Sequence, residues 1–294
     1  MGMKKTGVIT DSYGGISREE ADKAGVGILP MPFFFGEESY YEGVTITRKE
    51  FFERLAAGEN VSTTQPSPED VMNIWREGLK EYEEIVYLPL SSGLSGACNT
   101  AMVLAQEEEF EGKVFVTDIG RIATPMHRSI LDALELIEEG YGAADVKRIL
   151  EASKENMAIF IAVETLEYLK KGGRVTPAAA AIGSLLNIKP ILTLNTGVLG
   201  AYKKSRGMKK ARKEMIDAMQ KELDTTFKEY YDRGEVYLMA ASSADEETTK
   251  GWVEEIETAF PGMKVLCDEL SLGIACHTGE GALGIGCSCK PDRI

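Results

Sequence analysis

The sequence Ser91-Ser92-Gly93-Leu94-Ser95-Gly96 lies where a predicted strand ends and a predicted helix begins. The apolar run 85–90 before it is typical of a buried strand, and residues 97–106 after it carry small and apolar side chains at helical spacing. In an open α/β sheet, ligands bind at the carboxyl ends of the strands, and the start of a helix offers unpaired N–H groups that suit an anion. This stretch therefore predicts an anion-binding loop in an α/β fold.

A simpler interpretation of the same stretch is that a serine caps the helix and the glycines form a turn. The sequence leaves both interpretations open. A third one, the nucleophile elbow of α/β hydrolases, is excluded. That motif needs a glycine two positions before and another two positions after its serine, and neither Ser92 nor Ser95 has both.

A second hydroxyl-rich loop, Ser62-Thr63-Thr64, precedes another predicted helix. Ser67 and Pro68 already form a strong start for that helix, so Thr63 and Thr64 are not needed to cap it. If the strands before the two loops are neighbours in a sheet, both helix starts point into the same crevice.

The composition excludes several classes of function. A net charge of −14 argues against non-specific nucleic-acid binding and against docking on an anionic membrane. No apolar run is long enough to cross a bilayer. The five cysteines are scattered and fit no zinc spacing, which predicts reduced thiols in a cytoplasmic protein. No motif for a metal, a nucleotide or another cofactor is present.

Strand and helix patterns alternate along the chain, which predicts an α/β protein with largely parallel sheets. The predicted helix 144–156 is the most plausible boundary between two halves. We therefore predict an N-terminal α/β domain, residues 1–155, with the hydroxyl loops. Residues 156–294 form the predicted C-terminal α/β domain.

Three further features are candidates for function. Arg174 follows a glycine pair that ends a helix, and a simpler role there is to place a cation at the negative end of the helix dipole. His277 lies in a glycine-rich tail, which indicates close backbone approach to another group. Residues 203–213 form a basic segment in an acidic chain, either a solvated face or a docking surface for an acidic partner. Hydroxyls, a histidine and arginines together suit a carboxylate or a phosphate.

The chain resembles the DegV family, the bacterial fatty-acid-binding proteins that serve as carrier subunits of fatty acid kinase. Seven motifs carry the resemblance in the right order. They are Asp11-Ser12, Thr63-Thr64-Gln65-Pro66-Ser67, the Ser-Ser-Gly-Leu-Ser-Gly signature at 91–96, the Lys-Gly-Gly-Arg turn ending at Arg174, Lys189-Pro190-Ile191-Leu192, the Arg-x-x-Lys-Lys-Ala segment beginning at Arg206, and the tail from His277 to Ile285.

The resemblance implies a function. Two α/β domains would bind a long-chain fatty acid, with the lipid pocket between or within them, and present it to a separate ATP-dependent kinase that forms the acyl-phosphate. The carboxylate ligands of the family fall on Thr63 and Ser92, with His277 and Arg174 close by, and Thr64 and Ser95 in the same loops. Arg206, and Lys203 beside it, fall on the segment that would contact the kinase. Such a lipid carrier would itself be no enzyme and would need no cofactor.

Two alternatives belong to other classes. The chain could be a stand-alone enzyme acting on a small phosphate or carboxylate substrate, with the hydroxyls, His277 and Arg174 doing chemistry. It could also be an interaction protein with no ligand pocket. The absence of nucleotide, metal and nucleophile motifs disfavours the first alternative.

Overall fold

Strands and helices alternate along residues 4–181, 187–195 and 198–293, which are the residues that this computed structural model describes. The strands are β1 (Lys4–Asp11), β2 (Val26–Leu29), β3 (Phe33–Phe35), β4 (Glu38–Tyr40), β5 (Val61–Thr63), β6 (Tyr82–Leu88), β7 (Val114–Val116), β8 (Met157–Ala162), β9 (Ile188–Asn195), β10 (Val198–Arg206), β11 (Val236–Ser242), β12 (Val265–Glu269) and β13 (Leu283–Cys289). The helices are α1 (Arg18–Ala24), α2 (Arg48–Ala56), α3 (Pro68–Gly78), α4 (Ala97–Leu104), α5 (Ala123–Glu138), α6 (Ala143–Ala152), α7 (Glu167–Gly172), α8 (Pro177–Ala180), α9 (Met208–Asp224), α10 (Lys228–Asp232), α11 (Glu246–Ala259) and α12 (Leu272–Thr278).

The chain divides into two compact units, which are described separately below. The first unit comprises Met1–Pro32, Thr64–Glu155 and Pro291–Ile294, and the second comprises Phe33–Thr63 and Asn156–Lys290. The predicted domains, 1–155 and 156–294, differ from these units in where 33–63 and 291–294 belong.

The first unit is a parallel sheet with helices on both faces. Its strand order is β2-β1-β6-β7, and every neighbouring pair is parallel. Successive side chains of a strand point to opposite faces. Val86 and Leu88 therefore pack in one apolar cluster with α5 and α6, while Ile85 and Tyr87 pack in another with α3 and α4. This unit has the parallel α/β architecture that the sequence predicts.

The second unit is built on a mixed sheet, and here the expectation of largely parallel strands is not met. The strand order is β10-β9-β8-β13-β11-β12, and only the β11–β12 pair is parallel. Two of the antiparallel pairs involve β13, which comes last in sequence but lies between β8 and β11, and the other two join the consecutive strands β8, β9 and β10. Trp252 of α11 anchors the core, where its indole N–H donates to the Gly284 carbonyl at 2.8 Å.

A small antiparallel sheet in the order β4-β3-β5 also belongs to the second unit. Phe33, Phe35 and Phe51 form an aromatic cluster in which Leu272 and Cys276 of α12 are buried. This packing explains why residues 33–63 belong with the C-terminal part of the chain. None of the helices in the described ranges combines the length and apolar character that crossing a membrane requires.

Candidate functional site

A hydroxyl and an imidazole meet in the second unit. Thr63 ends β5, where it pairs with Phe33 of β3, and His277 lies in the last turn of α12. The Thr63 Oγ1 atom is 2.9 Å from His277 Nε2, which is hydrogen-bonding distance. Residues separated by 214 positions are thereby brought together, and both were predicted site residues.

The His277 ring lies against the backbone of Gly172. A Cβ atom added to Gly172 would be 2.1 Å from His277 Nδ1 and 2.5 Å from Cε1, so no larger residue fits unless the ring moves. Nδ1 is buried and has no hydrogen-bond partner among the residues that the structure describes. Gly172 is thus a functional candidate that the sequence analysis missed, although the glycine pair before Arg174 was a visible signal.

The glycines after His277 also make close contacts. A Cβ atom at Gly279 would lie 2.8 Å from the Tyr168 ring, and one at Gly281 would lie 2.9 Å from the Glu164 side chain. Both glycines have positive φ angles, 73° and 80°, which other residues rarely adopt. The close backbone approach that the glycine-rich tail predicts is therefore present.

Burial and the charge of Arg174 together lower the pKa of the imidazole. Arg174 follows Gly173, whose left-handed conformation ends α7, and its guanidinium donates to the Gly172 carbonyl oxygen. This contact at the end of a helix is the simpler role considered for Arg174. Burial of the imidazole first, and the Arg174 charge second, lower the pKa of His277 to about 4. The imidazole is therefore neutral near pH 7.

The hydroxyl of Ser92, in the first unit, is bonded within its own unit. It donates to Asp118 Oδ2 at 2.6 Å, and the Ser92 backbone N–H donates to Oδ1 at 3.3 Å. Lys154 Nζ also contacts Asp118 Oδ2 at 2.6 Å. Burial of the Asp118 carboxyl opposes its ionisation, but the hydrogen bonds from Lys154 and Ser92 outweigh it and hold its pKa below the ordinary value.

Two other hydroxyls of predicted site residues form hydrogen bonds with backbone groups of neighbouring residues. Ser95 Oγ accepts the Ala97 N–H at 3.2 Å, while exposed Thr64 donates to the Gln65 carbonyl at 3.0 Å. The residue at the cap position of α4 is Gly96, with no side-chain cap. The simpler interpretation of the loop, a serine that caps the helix, stays open, because Ser95 accepts an N–H of the first turn of α4 from the position before Gly96.

Asp11, the acid at the end of β1, ties two loops together. Its carboxylate accepts the Leu90 N–H at 2.7 Å and the Tyr13 N–H at 2.9 Å. Burial raises the pKa of Asp11 to about 6, against the effect of these two hydrogen bonds. The end of β1 is therefore hydrogen-bonded to the residue that precedes the 91–96 loop.

The two predicted docking residues differ in their surroundings. Lys203 of β10 forms an ion pair with Glu214 of α9, with Nζ to Oε1 at 3.1 Å. Arg206 is exposed at the end of β10, and the described residues offer it no ion pair. Within the same described ranges, no three histidine, cysteine, aspartate or glutamate side chains lie close enough together to hold a metal ion.

Fold and site together define an α/β protein in which a hydroxyl, a neutral imidazole and a guanidinium lie close together. A family model for the DegV family matches residues 5–290. A DegV family protein from Thermus thermophilus, solved for its fatty acid binding, has 32% identity over 97% of this chain and 99% of that chain, with a TM-score of 0.86. DegV from Bacillus subtilis, a fatty acid binding protein, has 27% identity over 98% and 100%, with a TM-score of 0.84. A DegV domain-containing protein from Deinococcus radiodurans is 28% identical over 95% of this chain and 96% of its own length.

The chain belongs to the DegV family. The resemblance carried by the seven sequence motifs is confirmed, and so is the α/β fold class.

Proposed function

We propose that this protein binds a long-chain fatty acid and holds its carboxylate beside Thr63, His277 and Arg174. The relatives from Thermus thermophilus and Bacillus subtilis, both described as fatty acid binding, support this choice of ligand. The observation that carries the proposal is the Thr63–His277 pair beside the Arg174 charge. A buried carboxylate must be hydrogen-bonded or near a cation, and these side chains offer both.

The tautomer of His277 leaves the Thr63 hydroxyl with a hydrogen to donate to a ligand. Nδ1 lies against Gly172 and has no hydrogen-bond partner among the described residues, so a hydrogen on Nδ1 would be buried without an acceptor. The neutral ring then carries its hydrogen on Nε2 and donates to Thr63 Oγ1. Because the Thr63 oxygen accepts that bond, its own hydrogen remains available to donate to a ligand carboxylate.

The same electrostatics favour binding over catalysis. A general base works best with a pKa near the operating pH, and His277, with a pKa of about 4, is a weak base near pH 7. This weighs against the alternative of a stand-alone enzyme on a small phosphate or carboxylate substrate. Incubating the purified chain with ATP and fatty acid tests that alternative, and acyl-phosphate formed without another protein would establish it.

Most of the affinity would come from the acyl chain. A tail that buries ~14 methylenes at ~0.8 kcal/mol each gains roughly 11 kcal/mol before ordering costs are subtracted. Mass spectrometry after gentle extraction should therefore detect bound fatty acid in the purified protein. A protein that is always ligand-free and that also ignores added fatty acid would contradict the proposal.

We further propose that the bound acid is presented to a separate ATP-dependent kinase, which implies a cytoplasmic location. Exposed Arg206 would contribute more to docking than Lys203, whose charge is already paired with Glu214. Arg206→Glu should slow kinase-coupled turnover and make it more salt-sensitive, while fatty acid affinity stays unchanged. Arg18→Glu, the same substitution at an exposed arginine of α1 in the first unit for which the described residues offer no ion pair, is the matched control. Equal loss of lipid binding would place Arg206 in the pocket or the fold.

Ser92 remains a predicted carboxylate ligand on the strength of the resemblance, and Thr64 and Ser95 remain predicted ligand-binding residues. Ser92 and Thr64 already donate their hydrogens within the first unit, whereas Ser95 accepts a backbone N–H and keeps its own hydrogen. For Ser92, binding a carboxylate would mean giving up the bond to Asp118. Removing Thr63 and removing Ser92 should therefore cause different losses of fatty acid affinity.

A further inference from the structure

The start of α12 is held by a segment that is far away in the sequence. Glu42, which follows β4, accepts the Leu272 N–H with its Oε2 atom at 2.8 Å. Arg48, at the start of α2, donates through Nη1 to the Leu270 carbonyl at 2.8 Å. These contacts span 230 and 222 positions of the chain. We call the two side chains together the Glu42–Arg48 brace.

The helix does not provide this support itself. Ser271 is its N-cap residue, yet its side chain makes no capping hydrogen bond, and its Oγ atom is buried without a partner among the described residues. The Glu42 carboxyl is largely buried, and burial raises its pKa against the opposing effects of the Leu272 N–H and the Arg48 charge. The Glu42 side chain therefore supplies a hydrogen bond at the start of α12, where the Ser271 side chain supplies none.

His277 lies at the other end of the same short helix. Between the two ends, Leu272, Ala275 and Cys276 are buried in the aromatic cluster. A helix of this length moves as one rigid piece, so a shift at its first residue reaches its last turn. The imidazole there has little tolerance, because Gly172 lies against one edge and Thr63 is 2.9 Å from the other.

We propose that the Glu42–Arg48 brace positions His277 by fixing the start of α12, so that the imidazole stays between Gly172 and Thr63. Residues 33–63 then hold both ends of α12, with the brace at its start and Thr63 at its end. Glu42 and Arg48 are positioning residues in this arrangement, since they act through the helix. The inference rests on the proposed function only in giving His277 a carboxylate to contact.

Histidine NMR on the ligand-free protein tests the brace without any lipid. The chain has two histidines, and His127, in the first unit, serves as the internal reference for an intact fold. In Glu42→Ala the ring loosens and becomes hydrated. The His277 titration should then move from about 4 toward the ordinary value, with a change of at least about tenfold in its protonation constant.

Three variants separate positioning from charge. Glu42→Gln keeps an oxygen that can accept the Leu272 N–H, so its His277 titration should stay near that of the wild type. Glu37→Ala removes an exposed carboxylate of the same 33–63 segment that has no hydrogen bond or ion pair with Glu42, Arg48 or α12, and it should change nothing. Arg48→Met keeps the apolar stem but loses the bond to Leu270, and it should shift His277 in the same direction as Glu42→Ala.

The outcomes are decisive even if one variant fails to fold. If Glu42→Ala is unfolded, Arg48→Met decides. An unchanged His277 titration in the folded members of this pair would overturn the inference, and so would a shift in Glu42→Gln as large as that in Glu42→Ala. Fatty acid titration of the same variants is read separately. A wild type that binds no fatty acid would refute the proposed function and leave the NMR result to decide the brace.

Discussion

The two hydroxyl sites of this protein differ in what their hydroxyls already contact. In the first unit, Ser92 donates to Asp118, an ionised carboxylate that Lys154 also neutralises. In the second unit, Thr63 meets a neutral imidazole, and the other nitrogen of that ring has no partner among the described residues. The first hydroxyl is satisfied by its own unit, whereas the second still has a hydrogen to donate. A conspicuous sequence signature is thus no measure of how available its side chains are to a ligand.

The largest effect should follow from filling the space beside His277. In Gly172→Ala the new methyl group would occupy the place of the ring, which lies 2.1 Å from the ideal Cβ position. Displacing the imidazole costs about 1–3 kcal/mol of packing and also breaks the Thr63 hydrogen bond. We expect fatty acid affinity, measured by calorimetry, to fall at least about a hundredfold.

Gly173→Asn is the matched control for that substitution. Gly173 has a φ of 68°, nothing lies within 4 Å of its ideal Cβ position, and asparagine tolerates this left-handed conformation. This variant should keep its affinity. Equal losses in the two variants would show that the turn as a whole, and not the space beside His277, decides binding.

The contributions of Asp11 and His277 to the pH dependence of stability should have opposite signs in the two units. Asp11 has a raised pKa, so its contribution to stability is complete below about pH 4 and falls by up to about 3 kcal/mol as the pH rises through about 6. His277 has a lowered pKa, so its contribution is complete above the ordinary histidine value and is lost as the pH falls toward about 4. As the pH rises over this range, the stability contributed by Asp11 to the first unit should therefore fall, while that contributed by His277 to the second unit should rise.

Amide hydrogen exchange followed unit by unit from pH 4 to pH 7 measures these contributions. Asp11→Asn should reduce the fall with rising pH in the first unit and leave the second unit unchanged, and the remaining fall should come from Asp132, whose pKa burial also raises to about 6. His277→Gln should remove the rise with pH from the second unit only. Identical profiles for the wild type and both variants would mean that neither group has a shifted pKa.

How far the sequence predicts these sites depends on the distance between partners along the chain. The position of residues 91–96 between β6 and α4 follows from local patterns, whereas Asp118, the partner of Ser92, lies 26 positions away along the chain. Lys154 had no sequence signal, because it reaches Asp118 only by lying across Gly120, where an added Cβ would be 2.5 Å from its Cε atom.

The placement of residues 33–63 in the second unit was out of reach for the same reason. Their aromatic side chains are buried against α12, which lies more than 200 residues later in the chain. Hydrophobic periodicity and residue propensity describe single helices and strands, and neither of them carries information about such a distant contact. Only the family resemblance linked Thr63 to His277 before the structure did.

Removing the Thr63 hydroxyl should have the next largest effect. Thr63→Val keeps the shape of the side chain but loses a donor to a charged group, which is worth ~1.5–3 kcal/mol, or roughly ten- to a hundredfold in fatty acid affinity. A fatty alcohol of the same length carries no charge and should lose much less. Thr64→Val is the matched control, because the Thr64 hydroxyl donates to the Gln65 carbonyl. If both valine variants lose acid affinity equally, the contrast between these two hydroxyls disappears.

The smallest loss of fatty acid affinity is expected for Ser92→Ala. The size of this loss decides whether Ser92 contacts the carboxylate in the way proposed for Thr63. The family resemblance alone predicts a ten- to hundredfold loss for Ser92→Ala, as for Thr63. In the structure, a ligand carboxylate could take the Ser92 hydrogen only by breaking its 2.6 Å bond to Asp118. One charge-assisted bond would replace another of similar strength, so the net loss in Ser92→Ala should stay below about tenfold.

Asp118→Asn sharpens the test, because an amide oxygen accepts more weakly than a carboxylate and so releases the hydroxyl. If Ser92 is a ligand, Asp118→Asn should raise acid affinity when Ser92 is present and should have no such effect in the Ser92→Ala background. An equal change in both backgrounds would show that Ser92 does not contact the carboxylate, and its hydroxyl would then serve only to tie the 91–96 loop to Asp118.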